Sequence, residues 1–316
     1  MEKGIVIKST GSWYQVRFED FSEMQCRIIG KFRLNGLRLT NPVAVGDEVL
    51  VQKEEGEENT GLIKKILARK NYIVRQSPRK KHYLHLLASN IDQAVLITTI
   101  IEPALKQGFI DRFLLMTEPH NLPVIIVFNK SDLYSEEDLE LYEGMKALYE
   151  DIGYEVLLTS ATKNTGIEAL KAKLKDKTTL LSGQSGVGKS TLANELQENL
   201  GLRTGELSDY TGKGQHTTTF AEMFTLNSGG FLIDTPGIKT LSFNNLKPMD
   251  VTHNFREFFE FSPHCKFSNC THRNEPKCAV KDAIEEGYIS ELRYFNYLTI
   301  IDDIEDQNSW ERVKDM

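Results

Sequence analysis

The sequence predicts a multidomain α/β protein: a small N-terminal β-barrel, a doubly wound central domain and a short helical C-terminal domain. Three observations carry that expectation. The first 70 residues break into short β-rich runs, near-continuous apolar runs alternate with helical stretches from about residue 90, and three of the four cysteines fall between Cys265 and Cys278. A chain of 316 residues suits two or three such units.

Residues 1–70 contain GIVIKSTGSWYQVRF, MQCRIIGKF, VGDEVLVQ and GLIKKILARK, with Gly and Asp at the breaks and no long helical period. Short strands spaced in this way close into a barrel, and an OB-type fold is the expected form. The net charge of −7 argues against a uniformly basic nucleic-acid binder. The balance is uneven, however, because residues 1–85 hold 16 Lys and Arg against 10 Asp and Glu. The basic residues concentrate in KKILARKNYIVRQSPRKKHYLH (64–85), either an RNA-facing strip or a solvated charged face. No apolar run is long enough to span a bilayer, and the N-terminal residues lack the layout of a signal peptide. The expectation is a cytoplasmic protein with no membrane partner.

The central unit, residues 71–245, carries QAVLITTI (93–100), PVIIVF (123–128), YEVLLTS (154–160), TTLLSG (178–183) and GGFLIDT (229–235). Such runs are expected for parallel strands covered on both faces. Helical stretches, among them QGFIDRFLLMTEPH and SEEDLELYEGMKALYEDIG, separate them and complete the doubly wound pattern.

GQSGVGKS, with Gly183, Gln184, Ser185, Gly186, Val187, Gly188, Lys189 and Ser190, matches G-x-x-x-x-G-K-[ST] and leads through Thr191 into a helix. Backbone N–H groups of such a loop wrap phosphates, helped by the positive end of the helix. Lys189 is then suited to the β- and γ-phosphates, and the Ser190 hydroxyl to Mg²⁺. Base choice needs a second element, and NKSD at the end of VIIVF supplies it. The Asp132 carboxylate can accept from guanine N1–H and the 2-amino group, a pattern adenine lacks. Asn129 joins Asp132 in the choice of base, Lys130 packs its stem along the base, and the N–H groups of TSA (Ser160, Ala161) approach the guanine O6.

DTPG brings Asp234 to Mg²⁺ and the Gly237 N–H to the γ-phosphate. The preceding loop GKGQHTTTF (212–220) offers three threonines, of which Thr218 is the chosen Mg²⁺ ligand and Thr217 and Thr219 the alternatives. Every element of a GTPase is thus present, but base recognition precedes phosphate binding in the chain. Joining the old ends and cutting elsewhere leaves such a pocket intact, so the central unit is expected to be a circularly permuted P-loop GTPase domain.

Residues 246–316 contain CKFSNCTHRNEPKC, a C-x4-C-x-H-x5-C arrangement of Cys265, Cys270, His272 and Cys278. Three thiolates and one imidazole close a tetrahedral Zn²⁺ site with no open position, which is the pattern of a structural metal. His264 is a competitor for the fourth place, and Cys26 stands apart as a buried small residue.

The permuted motif order, the barrel, the GQHTTT loop and the Cys/His cluster together resemble the YjeQ/RsgA family of small-ribosomal-subunit-dependent GTPases over nearly the whole chain. The resemblance favours His272 over His264. It implies GTP hydrolysis stimulated by the 30S subunit and a role late in 30S assembly; rRNA contact through the barrel and the zinc domain, by a monomer, is expected beside it. For hydrolysis, Ile238 follows DTPG where many GTPases place a water-orienting Gln, so intrinsic turnover is expected to be slow. His216 is the candidate to position water, beside Lys189 and Gly237; a structural role for His216, or a group donated by the ribosome, is the alternative. The competing functions are a P-loop small-molecule kinase and a nucleotide-stabilised RNA-binding module.

Overall fold

The computed structural model describes residues 1–28, 39–54, 59–76, 83–197, 200, 221–236, 241, 243 and 246–314. Strands β1 (Glu2–Ser9), β2 (Tyr14–Phe18), β3 (Glu23–Ile28), β4 (Glu48–Lys53) and β5 (Thr60–Ile66) form the N-terminal barrel. They pair in the order β1-β2-β3-β5-β4, and β4 returns to β1 to close it. Alternate residues point inward, so Val6, Tyr14, Val16, Phe18, Met24, Cys26, Val49, Val51 and Ile63 make a separate core.

The described part of the basic strip, residues 64–76 and 83–85, runs from β5 into a ribbon; Arg79, Lys80 and Lys81 lie outside the described residues. Strand β6 (Tyr72–Gln76) pairs with β7 (Leu84–Ser89) as an antiparallel ribbon. Arg69, at its start, is buried against Asp47 at 2.6 Å. Asp47 also accepts from the Ser89 hydroxyl of β7 at 2.6 Å, so this carboxylate joins the barrel to the ribbon, while Lys64 and Lys65 remain exposed.

Next come β8 (Gln93–Thr98), α1 (Gln107–Thr117), β9 (Val124–Phe128), α2 (Glu136–Asp151), β10 (Glu155–Leu158), α3 (Ile167–Leu174), β11 (Lys177–Gly183), α4 (Lys189–Leu196), β12 (Glu222–Thr225) and β13 (Gly230–Asp234). Helix α2 starts where Ser135 and Asp138 form a reciprocal capping box, each side chain accepting from the other's backbone N–H. The strand order is β10-β9-β8-β11-β13-β12, with only β12 antiparallel to its neighbour. The chain winds outward from β8 to β10 and then crosses to β11 on the other side of β8. That reversal is a topological switch point, where such sheets leave a crevice at the carboxyl ends of the strands. At the far side of β13, β12 also bridges β1 at Lys8↔Glu222, so barrel and central sheet form one eleven-stranded sheet.

Helices α5 (Pro248–Asn254), α6 (Arg256–Phe261), α7 (Ala279–Glu285) and α8 (Glu291–Lys314) complete the chain. They do not stand alone: Phe255, Phe258, Val280, Tyr297, Ile300 and Ile304 belong to the same core cluster as Phe113 of α1 and Tyr149 of α2. A buried ionic network crosses this junction. Arg293 holds Glu257 through two bonds at 2.6 and 3.0 Å and also contacts Asp111, which accepts from Tyr149 at 2.7 Å and Asn296 at 2.6 Å. Burial alone would depress the Arg293 guanidinium, but Asp111 and Glu257 overcome it and hold the charge. Among the described residues no helix is long and apolar enough to cross a membrane.

Candidate nucleotide pocket and metal centre

Each expected pocket segment that lies among the described residues sits at a carboxyl end of the central sheet. NKSD follows β9, TSA follows β10, the phosphate loop follows β11, and Asp234 ends β13. Parallel pairing of β8, β9, β10, β11 and β13 puts all these ends on one edge.

The phosphate loop and the base-side turn are joined directly. The Asn129 amide is buried; its Nδ2 donates to the Val187 carbonyl at 3.0 Å, and its Oδ1 accepts from the Thr159 hydroxyl at 3.0 Å. This contact explains Gly188. It sits at φ +86°, and a Cβ there would meet Asn129 Nδ2 at 2.5 Å, so only glycine lets the loop pass the amide. Gly186 shares the left-handed region at φ +88°. Lys130 also has positive φ, at 65°, and its Nζ donates to the Glu102 carbonyl at 2.6 Å. Tyr134 buttresses the turn, its hydroxyl donating to the Asn129 carbonyl at 2.8 Å and accepting from the Ile100 N–H at 2.9 Å.

The Asp132 carboxylate is exposed at the rim and accepts from two hydroxyls, those of Ser160 and Thr162. Partial burial pushes its pKa up, yet these two hydrogen bonds prevail and leave it below the ordinary carboxylate value. Ser160 and Ala161 are buried in a turn closed by reciprocal Ser160–Thr165 backbone bonds, both 3.0 Å.

At the phosphate end Lys189 and Asp234 are paired with one another, at 7% and 0% side-chain exposure. Ser190 and Thr191 open α4 beside them, both half-buried. Carboxylate and hydroxyl oxygens are hard donors of the kind that suits Mg²⁺. His216, Thr218 and the other threonines of the loop, Gly237 and Ile238 lie outside the described residues.

The metal cluster assembles as its spacing predicts. The ligand atoms of Cys265, Cys270, His272 and Cys278 all lie within 4.8 Å of one another. Cys265 and Cys278 sulfurs are 4.0 Å apart, and His272 Nδ1 is 3.7 and 3.3 Å from them. Tetrahedral Zn²⁺ with bonds of about 2.0–2.3 Å requires edges of roughly 3.5–3.8 Å, so the set fits. His264 is exposed and is not among these ligands.

The imidazole is oriented by Ser262, a residue the spacing did not point to. Ser262 Oγ donates to the Phe258 carbonyl at 2.7 Å, so toward His272 Nε2, at 3.1 Å, it can only accept. The ring proton therefore sits on Nε2, leaving the Nδ1 lone pair facing the sulfurs. Burial depresses the His272 pKa, which keeps the ring neutral as a metal ligand must be. Glu275 accepts from the N–H groups of Thr271 and Arg273 at 2.7 and 2.9 Å, shaping the loop that carries His272.

A phosphate loop, the NKSD turn and Asp234 at strand ends on one sheet edge, in this chain order, make the arrangement of a circularly permuted P-loop GTPase. The RsgA GTPase family pattern matches residues 66–244, and the RsgA N-terminal domain pattern matches residues 3–63. The chain belongs to the RsgA GTPase family. It is 50% identical over 304 residues to the small ribosomal subunit biogenesis GTPase RsgA of Phocaeicola vulgatus, covering 96% of this chain and 97% of that one. The RsgA of Flavobacterium psychrophilum is 48% identical over 300 residues, covering 95% and 92%. The fold is similar to the crystal structure of YjeQ from Thermotoga maritima (TM-score 0.75, 34% identity, 96% and 98% covered). It is also similar to YloQ, described as a circularly permuted GTPase (TM-score 0.70, 30% identity, 97% and 96% covered).

Proposed function

We propose that this GTPase acts in maturation of the small ribosomal subunit, binding GTP at the crevice between β8 and β11 and hydrolysing it in response to that subunit. The observation that carries the pocket reading is the Asn129 amide, which ties the base-side turn to the phosphate loop through Val187 at 3.0 Å. The ribosomal partner follows from relatives named as small ribosomal subunit biogenesis GTPases. Work on that subunit belongs to the cytoplasm, and the chain is taken to act as a monomer.

In the proposed mechanism Asp132 reads the guanine edge, Asn129 holds the turn, and the N–H groups from Gly183 to Thr191 cradle the phosphates. Lys189 leaves Asp234 and turns its ammonium to the β- and γ-phosphates, where negative charge gathers as the terminal bond breaks. Ser190, Asp234 and Thr218 would hold Mg²⁺, which supplies charge neutralisation at the phosphate oxygens. Cys265, Cys270, His272 and Cys278 would hold zinc, which with four protein ligands would be structural and have no open position for chemistry. The Gly237 N–H meets the γ-phosphate, and His216 positions the attacking water, the role that Ile238 cannot fill.

The test is turnover with and without 30S particles. Slow hydrolysis alone and a large stimulation by 30S, absent with 50S, are expected. Turnover unaffected by 30S would overturn the ribosomal role. His216→Ala should keep nucleotide-dependent 30S binding and lose most stimulated turnover; a wild-type rate would make His216 structural.

A further inference from the structure

The turn after β10 brings one more hydroxyl to Asp132 than a single support requires. Ser160 Oγ accepts from the Lys163 N–H at 3.1 Å and donates to Asp132 Oδ1. Thr162 Oγ1 donates to Asp132 Oδ2 at 2.9 Å. The two hydroxyl oxygens are 3.1 Å apart, but each has a single proton and both protons go to the carboxylate. Each carboxylate oxygen therefore carries one fixed donor and keeps acceptor capacity for another.

We propose that Thr162 is a positioning residue that sharpens guanine specificity by locking, together with Ser160, the plane of the Asp132 carboxylate. The proposal rests on the reading of NKSD as the guanine-recognising turn. The terminal torsion of an aspartate is broad, so a carboxylate held at one oxygen can swing and still satisfy one donor of a base. Held at both oxygens it presents two acceptors in fixed directions, which match the N1–H and 2-amino donors of guanine. Hypoxanthine lacks the 2-amino group, and the locked carboxylate cannot rotate to re-centre on the one donor that remains, N1–H.

The two hydroxyls are delivered by a rigid segment. Ser160 exchanges backbone bonds with Thr165 at 3.0 Å each, and the Thr159 carbonyl accepts from the Ser131 N–H at 3.0 Å, which ties the turn to NKSD itself. The lowered Asp132 pKa agrees with two donors prevailing over partial burial.

The experiment titrates full-length wild type, Thr162→Val, Thr162→Ala, Thr162→Ser and Asp132→Asn with GDP and with IDP, and records Tm for each. Loss of the Thr162 hydroxyl should weaken GDP about tenfold and IDP about twofold or less, with Tm nearly unchanged, because one charged hydrogen-bond system loses its register. Thr162→Ser should restore the GDP-to-IDP ratio. Equal weakening of both nucleotides, or no weakening, in the two hydroxyl-free variants overturns the role of Thr162. Asp132→Asn is the separate control: wild-type GDP affinity there removes the turn from base recognition and the proposal with it. Weakened GDP in Asp132→Asn beside a wild-type ratio in Thr162→Val overturns Thr162 alone.

Discussion

His272 offers two nitrogens, and the Ser262 hydroxyl determines which of them faces the sulfurs. Ser262→Ala should therefore weaken zinc by about tenfold, the lower end of what removal of such an outer partner costs. Competition with a chromophoric chelator measures it; unchanged affinity would mean that packing alone orients the ring. Cys270→Ser removes a ligand outright, so zinc should fall well below one per chain by elemental analysis and the C-terminal helices should lose stability. GDP affinity should change little, because the pocket is built from β8 to β13. At Asp132 the sign of the pKa shift fixes a pH range. A carboxylate lowered below its usual value of about 3.9 stays ionised wherever ordinary carboxylates are ionised. The GDP-to-IDP affinity ratio, in which the titration of the terminal phosphate near pH 6 cancels, should then be flat from about pH 8 to about pH 5 and fall only as acidity passes the lowered pKa; loss of the ratio already near pH 6 would point to another titrating group at the base.

The elements meet where isolated helices would fail. Arg293 on α8, Glu257 on α6 and Asp111 on α1 form a buried network in which each charge depends on the others. Arg293→Met leaves two carboxylates without their cation, and breaking such a pair costs about 3–5 kcal/mol. Denaturant unfolding of the zinc-loaded protein should show that loss; a change below about 1 kcal/mol would mean water reaches the network. In the phosphate loop the constraint is steric. Gly188→Ala should abolish nucleotide binding while leaving the far-ultraviolet circular dichroism unchanged, because the added Cβ displaces the Asn129 amide from Val187.

At the scale of the whole molecule, the strands around Asp234 connect to both flanking parts. On one side β12 pairs Glu222 with Asp234 and with Lys8 of the barrel, where the Lys8–Glu222 ion pair is 2.8 Å and Arg17 donates to Thr225 at 2.7 Å. On the other, Leu241 and Phe243 enter the core shared with the C-terminal helices. A rearrangement at the γ-phosphate therefore has a mechanical route to the barrel as well as to the zinc-bearing part. Protein bound to a non-hydrolysable GTP analogue should hold 30S more tightly than GDP-bound protein by about 1–3 kcal/mol, the usual span of coupling energies. Co-sedimentation in the two nucleotides measures it, and linkage requires 30S to tighten the analogue relative to GDP by the same factor. Equal sedimentation would show the nucleotide to be uncoupled from docking.

Reading the residues in order was enough to point to the phosphate loop, NKSD, TSA, Asp234 and the cluster of Cys265, Cys270, His272 and Cys278, because each is a local pattern whose spacing suits one ligand or one turn. The apolar runs gave the parallel strands for a similar reason: burial on both faces leaves a mark on every residue. What the tertiary structure decided is which side chains from distant segments complete those clusters. Thr162 reaches Asp132 across 30 residues, and Arg293 reaches Asp111 across 182. Strand β12 has only four residues of mixed character, so neither period nor composition marks it; it fills the edge that β13 leaves open, and its own outer edge then meets β1. Arg69 shows the opposite limit: it sits in a basic run that reads as surface, and only the burial of Asp47 beside it turns the charge inward. Local spacing encodes a local site, whereas a partner found through space has no period, and packing alone selects it.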